Sequence, residues 1–291
     1  MFHYRFLLSV LAISLVTIAC GFNFHFDLPK IDLKTGVTET EEIIVPLPEN
    51  PDQVTKLTMN FGVGDLYLSP GAKDALVSGT ATYNLKELKP ILETYNNSVK
   101  ISNGELTIEG IPNLGNNLKN FWDLKLAELP LDLEIKAGAY QSELELGGLA
   151  LHSLSITDGA AEVDIKFSAP NLVEMDTFQY KTGASTIKLS GLANANFTTL
   201  IFKAGAGDYT LDFTGELKRD ATVVIDAGMS NFNLVVPEGT KTRLFFDGGL
   251  SNVDVYGAWQ KSGNDYSLLG EGSTLTINVN IGAGNLQLRN Q

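Results

Sequence analysis

The sequence is poor in the residues that most enzyme chemistry needs. It has one cysteine, three histidines and two tryptophans among 291 residues. A single cysteine excludes an intrachain disulfide and a cysteine zinc cluster. His3, His25 and His152 are isolated, and no His, Cys or carboxylate set has metal-ligand spacing. No Gly-x-Ser-x-Gly element and no nucleophile–His order is present. No cofactor or metal is therefore expected. Cations are also scarce: 21 Lys and Arg against 34 Asp and Glu give a net charge of -13. The few cations are scattered, which excludes a nucleic-acid backbone as partner.

Long apolar runs are missing too, with one exception near the start. Phe6 to Ala19 carries no charge and follows Arg5. That stretch is too short for a bilayer span of about 20 residues and reads as a secretion signal, residues 1–19. It ends in Thr17-Ile18-Ala19-Cys20-Gly21, which resembles the lipobox of bacterial lipoproteins. The resemblance implies cleavage before Cys20 and lipid attachment to its thiol. Residues 20–42 show no sustained period and read as a lipid-anchored tether.

What the sequence does have is glycine, 28 residues of it, and much of it recurs. Aligned copies centre on Gly62, Gly138, Gly159, Gly183, Gly205, Gly228, Gly249 and Gly282. From Gly138 to Gly249 the steps are 21, 24, 22, 23 and 21 residues. Five and three residues before each glycine, and six after it, every copy is apolar or aromatic; in the Gly205 copy these are Leu200, Phe202 and Leu211. Two before it, every copy is polar. Spacing of two on either side is strand periodicity with one buried face.

Each copy thus reads as strand, tight glycine turn, strand, with the residue after the glycine facing inward. Single copies cannot bury their apolar face, whereas stacked ones can, at roughly 4.8 Å per rung. The expected fold is all-β: a parallel β-solenoid of about seven coils over residues 121–291, with an N-terminal β subdomain over 43–120 acting as a cap. The alternative is an antiparallel sandwich of look-alike hairpins; the near-constant step favours the solenoid. Gly205-Ala206-Gly207-Asp208 is then a repeat element, because a phosphate loop would be unique and would open a helix. The period also does not fit a calcium-binding nonapeptide.

In the non-repeating part, "LKELKPILETY" is helix-like, and "SVKISNGELTIEG" reads as a hairpin turning at Asn103-Gly104. Ile201, Val224 and Phe245, four residues before their glycines, should point outward on adjacent coils. The loop carrying Trp259 is expected to cover them; left bare, Ile201, Val224, Phe245 and Trp259 form a candidate interaction face. Asp226 and Asp247 should stack on adjacent coils as solvated acids. As a catalytic pair they would instead suggest a solenoid carbohydrate-active enzyme working on envelope glycans.

Trp122-Asp123, "LPLDLEIKAGA", "GASTIKLSGLANA", "GAGDYTLDFTGEL", "VVIDAGMSNFNLVVPEG" and "INVNIGAGNLQL" together resemble the toast-rack family of bacterial envelope proteins. A related domain forms the extracytoplasmic part of LiaF-type regulators of cell-envelope stress. The resemblance implies a solenoid-like all-β fold, an extracytoplasmic membrane-associated role and no catalytic residue. The expected function is binding or scaffolding at the bacterial envelope, with an envelope protein or glycan as partner. Mass spectrometry of protein extracted from membranes should find Cys20 as the N-terminus, carrying lipid; an unmodified N-terminus elsewhere would remove the anchor.

Overall fold

The computed structural model describes residues 30–32, 35–104, 111–113 and 117–291. The signal segment, Cys20, His3 and His25 lie outside the described residues. Two short strands, β1 (Lys30–Asp32) and β7 (Ile111–Asn113), pair in parallel as a separate unit. All other strands form one sheet. In its N-terminal part these are β2 (Glu39–Val45), β3 (Thr55–Pro70), β4 (Val77–Tyr83), β5 (Pro90–Tyr95), β6 (Ser98–Asn103) and β8 (Asn120–Leu126). The repeats supply β9 (Pro130–Glu145), β10 (Ala150–Thr157), β11 (Ala160–Lys166), β12 (Met175–Ser190), β13 (Phe197–Asp212), β14 (Ala221–Val236), β15 (Thr240–Tyr256) and β18 (Glu271–Asn290). Between the last two lie β16 (Gln260–Ser262) and β17 (Asp265–Leu268).

The repeat strands stack in parallel, in register, as the sequence leads one to expect of a solenoid-like fold. β3 pairs with β9, β9 with β10 and β11, these with β12, and then β13 and β14 follow. The order then departs from the sequence. β18 pairs with β14 on one side and β15 on the other, so the last copy sits between the two before it. The excursion through β16 and β17 allows this: β17 runs antiparallel along Thr242–Phe245 of β15, outside the stack, and the chain returns on β15's inner side.

The eight repeat glycines form one file. A Cβ built on Gly205 would meet the Gly183 carbonyl oxygen at 2.5 Å. On Gly228 it would meet Gly205 O at 2.6 Å, on Gly282 it would meet Gly228 O at 3.0 Å, and on Gly249 it would meet Gly282 O at 2.8 Å. None of the eight has a positive φ. From Gly138 onward glycine is required by close approach between rungs and not by a left-handed backbone; a Cβ on Gly62 would meet only Asn103 Oδ1, at 3.9 Å. Most repeat strands run unbroken through their glycine; only the Gly159 copy is split, into β10 and β11.

The chain still bends at the glycine, and the bend shifts the side-chain phase by one residue. In β14, Val223, Ile225 and Ala227 are buried before Gly228, and Ser230, Phe232 and Leu234 are buried after it. The glycine and its successor therefore both face out. Met229 is 71% exposed and Leu250 86%, which corrects the inward placement read from their lack of charge. The buried columns fill the stack with aromatics: Tyr180 lies over Phe202 at 5.4 Å, and Phe202, Tyr209 and Phe232 meet edge-on or tilted at 4.9–5.7 Å. Such pairs contribute beyond their buried area.

One carboxylate is inside. Asp158, just before Gly159, accepts hydrogen bonds from the Tyr180 hydroxyl at 2.7 Å and from the Thr182 hydroxyl. Burial raises its pKa, and the hydroxyl donors only partly offset this. The Tyr140 hydroxyl is buried without a partner, and burial raises its pKa as well, which keeps it protonated. A different buried amide, Asn171, holds the bulge at His152. It donates to Leu151 O at 2.8 Å and accepts from Leu151 N at 2.9 Å where the β9–β10 register slips. His152 thus belongs to a strand, not to a turn.

At the β3 end the sheet divides. Lys56–Asn60 pairs with β6, which pairs with β5. Asp65–Pro70 pairs with β8, then β4, then β2. The helix-like segment is a short 3₁₀ turn (Lys86–Leu88) followed by strand β5, since Pro90 cannot continue a helix. β6 makes its hairpin with β5 through Asn96-Asn97, not through Asn103-Gly104; residues 105–110 are outside the described ones. Residues 39–42 are strand and not tether, because Ile43 and Val45 bury one face of β2.

Two outcomes follow. Gly205→Ala should destabilise the fold by about 1–3 kcal/mol, and Gly159→Ala, where the contact is 3.0 Å, by less; denaturant unfolding measures both. Asp158 has a raised folded-state pKa, so it binds its proton more tightly folded than unfolded. The wild type should therefore lose stability relative to Asp158→Asn as pH rises from the ordinary carboxylate value through the folded one. Unfolding midpoints across that range check the sign.

Candidate functional site

The sequence-derived candidates do not come together. Ile201 and Val224 are neighbours across β13 and β14. Asn278 of β18 then stands between Val224 and Phe245, so the three are not on adjacent coils. Ile201 and Val224 are half-buried and Phe245 is 45% exposed. The Trp259 loop does not lie over them. Its hairpin extends the sheet edge beside β15, with Tyr266 and Leu268 buried and Trp259 packed against the core.

The carboxylate pair is separated by the same insertion. Asn280 is the register partner of both Asp226 and Asp247. Its amide donates to Asp226 Oδ1 at 3.3 Å. The two acids stand two rungs apart, roughly 10 Å at the strand spacing. Asp208, in the glycine-rich segment, is engaged by the Asn231 amide at 2.8 Å. Among the described residues no group of three or more His, Cys, Asp or Glu is placed to hold a metal ion.

A different surface concentrates exposed chemistry. Strand register lays five outward side chains in one row across β8, β3, β9, β11 and β12: Asp123, Tyr67, Glu143, Asp164 and Lys188. The row two residues earlier is Phe121, Asp65, Gln141, Glu162 and Thr186. The Tyr67 and Phe121 rings lie 5.2 Å apart, and Phe121 is 37% exposed. Two open clefts of about 280 and 400 Å³ share Tyr67, Glu143 and Asp164.

The wall is acidic and only lightly neutralised. Lys166 reaches Asp164 at 3.5 Å, and the Gln141 amide donates to Glu162 at 3.2 Å. Asp164 Oδ1 is buried without a partner. Partial burial and the charges of Glu143, Asp65 and Asp123 raise the Tyr67 pKa, so its hydroxyl stays protonated and can donate. The arrangement offers acceptors, one hydroxyl and two aromatic faces on an open surface. That suits recognition of amino groups or hydroxyls. Sequence reasoning missed it because β8 lies outside the repeat. The signal available was the run of acids five residues after the repeat glycine, Glu143 and Asp164, beside Tyr67.

Comparison with known proteins bears on the fold. The family model described as the N-terminal domain of toast_rack, DUF2154, matches residues 32–177. No curated protein matches the sequence. Among solved structures, a candidate cell adhesion protein from Clostridium sporogenes shares 20% identity at a TM-score of 0.50, covering 88% of this chain and 100% of its own. A candidate lipid-binding protein from Parabacteroides distasonis has 11% identity and a TM-score of 0.36, covering 89% of this chain and 99% of its own. A candidate adhesin from Bacteroides fragilis has 8% identity and a TM-score of 0.33 with the same coverage.

Proposed function

The chain belongs to the toast-rack family, and on that premise we propose that it is a non-enzymatic, lipid-anchored protein of the bacterial cell surface that binds another envelope component. Cys20 carries the anchor, and the tether read over residues 20–42 is shortened by the strands at Lys30–Asp32 and from Glu39 onward. The repeat strands form a solenoid-like parallel stack that takes in β3, the Gly62 copy, beside the copies within residues 121–291. The β2–β4–β8 and β5–β6 strands cap one end, where an open edge would invite pairing with other chains. Its place at the envelope links it to the envelope-stress response, because a related domain forms part of LiaF-type regulators.

The observation that carries this reading is the Asp123–Tyr67–Glu143–Asp164–Lys188 row with Phe121 beside it. It is open, aromatic and acidic, and it suits a partner presenting amino groups. Cation–aromatic and carboxylate contacts on such a surface weaken with salt. The C. sporogenes fold neighbour, described as a candidate cell adhesion protein, accords with a surface-binding role.

Isolated envelopes should retain the purified wild-type protein at low salt. A variant with Glu143→Lys and Asp164→Lys should bind about tenfold more weakly, and the difference should shrink as salt is raised. Equal retention of both proteins would remove the wall from consideration. Release of soluble sugar fragments from the envelopes by the wild type would overturn the non-enzymatic reading in favour of a glycan-cleaving one.

A further inference from the structure

A second concavity shares no residue with the Tyr67 wall. The segment from Pro46 to Gln53, the start of β3 and the β5–β6 turn enclose a cleft of about 550 Å³, within the roughly 300–1,000 Å³ of small-molecule sites. Its floor is apolar: Leu76 and Val99 line it and are buried. Between them and the rim stands Thr55, 1% exposed, whose hydroxyl has no hydrogen-bond partner. Buried polar groups are nearly always satisfied, so an orphan lining a cleft marks a place for a ligand atom.

The rim is built of carboxamides. Asn50, Gln53, Asn96 and Asn97 all line the cleft. Asn96 holds a left-handed conformation, φ 49°, in the two-residue turn, and the Asn97 carbonyl accepts from Lys56 N at 2.9 Å. The Asn97 amide itself makes only long contacts, 3.4 Å to Gln53 and 3.5 Å to Val54 O. Each carboxamide both donates and accepts. Glu49 is the one charged residue in the lining, and no Lys or Arg is there to hold a phosphate or carboxylate.

We propose that this cleft binds a neutral saccharide. Vicinal hydroxyls match groups that donate and accept at once, the Thr55 hydroxyl completes its hydrogen bonding on a sugar oxygen, and the C–H face of the ring lies on the exposed Pro46 and Leu47. An extended peptide would be read by free backbone groups along a strand edge, whereas here recognition falls to side-chain amides.

Calorimetry on the mature chain in detergent, with cellobiose, glucose 6-phosphate and trialanine as probes, tests this. Cellobiose should bind and glucose 6-phosphate should not. Thr55→Val should weaken cellobiose by about tenfold without lowering the thermal midpoint, because the hydroxyl removed has no partner in the fold. Gln53→Ala, on the exposed rim, should weaken it too. Absence of cellobiose binding, preference for trialanine, or an unchanged affinity in both variants would overturn the proposal. Envelope retention through the Tyr67 wall does not depend on Thr55, so the two readings fail separately.

Discussion

Each rung of the stack can approach the next only where neither carries a side chain at the bend. The carbonyl of one repeat glycine occupies the space into which a Cβ on the next would project. Van der Waals repulsion at such distances is steep, so from Gly138 onward the file tolerates no other residue without the rungs moving apart. Everything inside follows from that approach. The columns on either side of the bend are held at strand spacing, and they interdigitate as Leu, Ile, Phe and Tyr packed to the density of an organic solid. The repeat glycine itself needs no left-handed backbone, positive φ occurring only two residues on at Gly64, Gly207 and Gly284, and a chain that merely curves there keeps its ladder of hydrogen bonds through the corner.

Small hydroxyls such as Ser142 and Ser230 enter this interior within unbroken strands, but the buried carboxylate and the buried bulge amide sit where the ladder is interrupted. Asp158 sits at the one repeat, among the described residues, whose strand is split, and Asn171 sits beside the slipped β9–β10 register. In both places backbone or side-chain donors would otherwise be left without partners. The outward columns face no such demand, and there the chain is free to collect function. The acids and rings around Tyr67 and the amides around Thr55 lie toward the β3 end, where non-repeating strands meet repeating ones. Irregular sequence placed beside a rigid array yields concave surface.

The architecture was legible because it is periodic. Columns of apolar residues at fixed offsets from Gly138, Gly159, Gly183, Gly205 and Gly228 predict parallel rungs in register, and the structure places them so. The odd interval between the column three before and the column six after the glycine even contains the phase shift, since alternation alone cannot connect them. The position of β18 was not legible. Nothing in its side chains distinguishes a neighbour of β14 from a neighbour of β15, because every rung presents the same apolar columns. Only the hairpin along Thr242–Phe245, a long-range pairing, blocks the outer position over that half of β15. The two clefts were hidden for a related reason. Thr55, Leu76 and Asn97 are far apart in sequence and share no period, and Tyr67 meets Asp123 only through the register of β3 with β8.

The insertion of β18 has a consequence for assembly. A simple solenoid can grow by adding each coil to the exposed face of the one before. Here β15 emerges first yet has no contact with β14 through its own ladder; both its neighbours, β17 and β18, are made after it. β15 can therefore join the array only through β18, so the last rung to be placed is not the last to be made, and losing β18 would detach β15 from the stack as well.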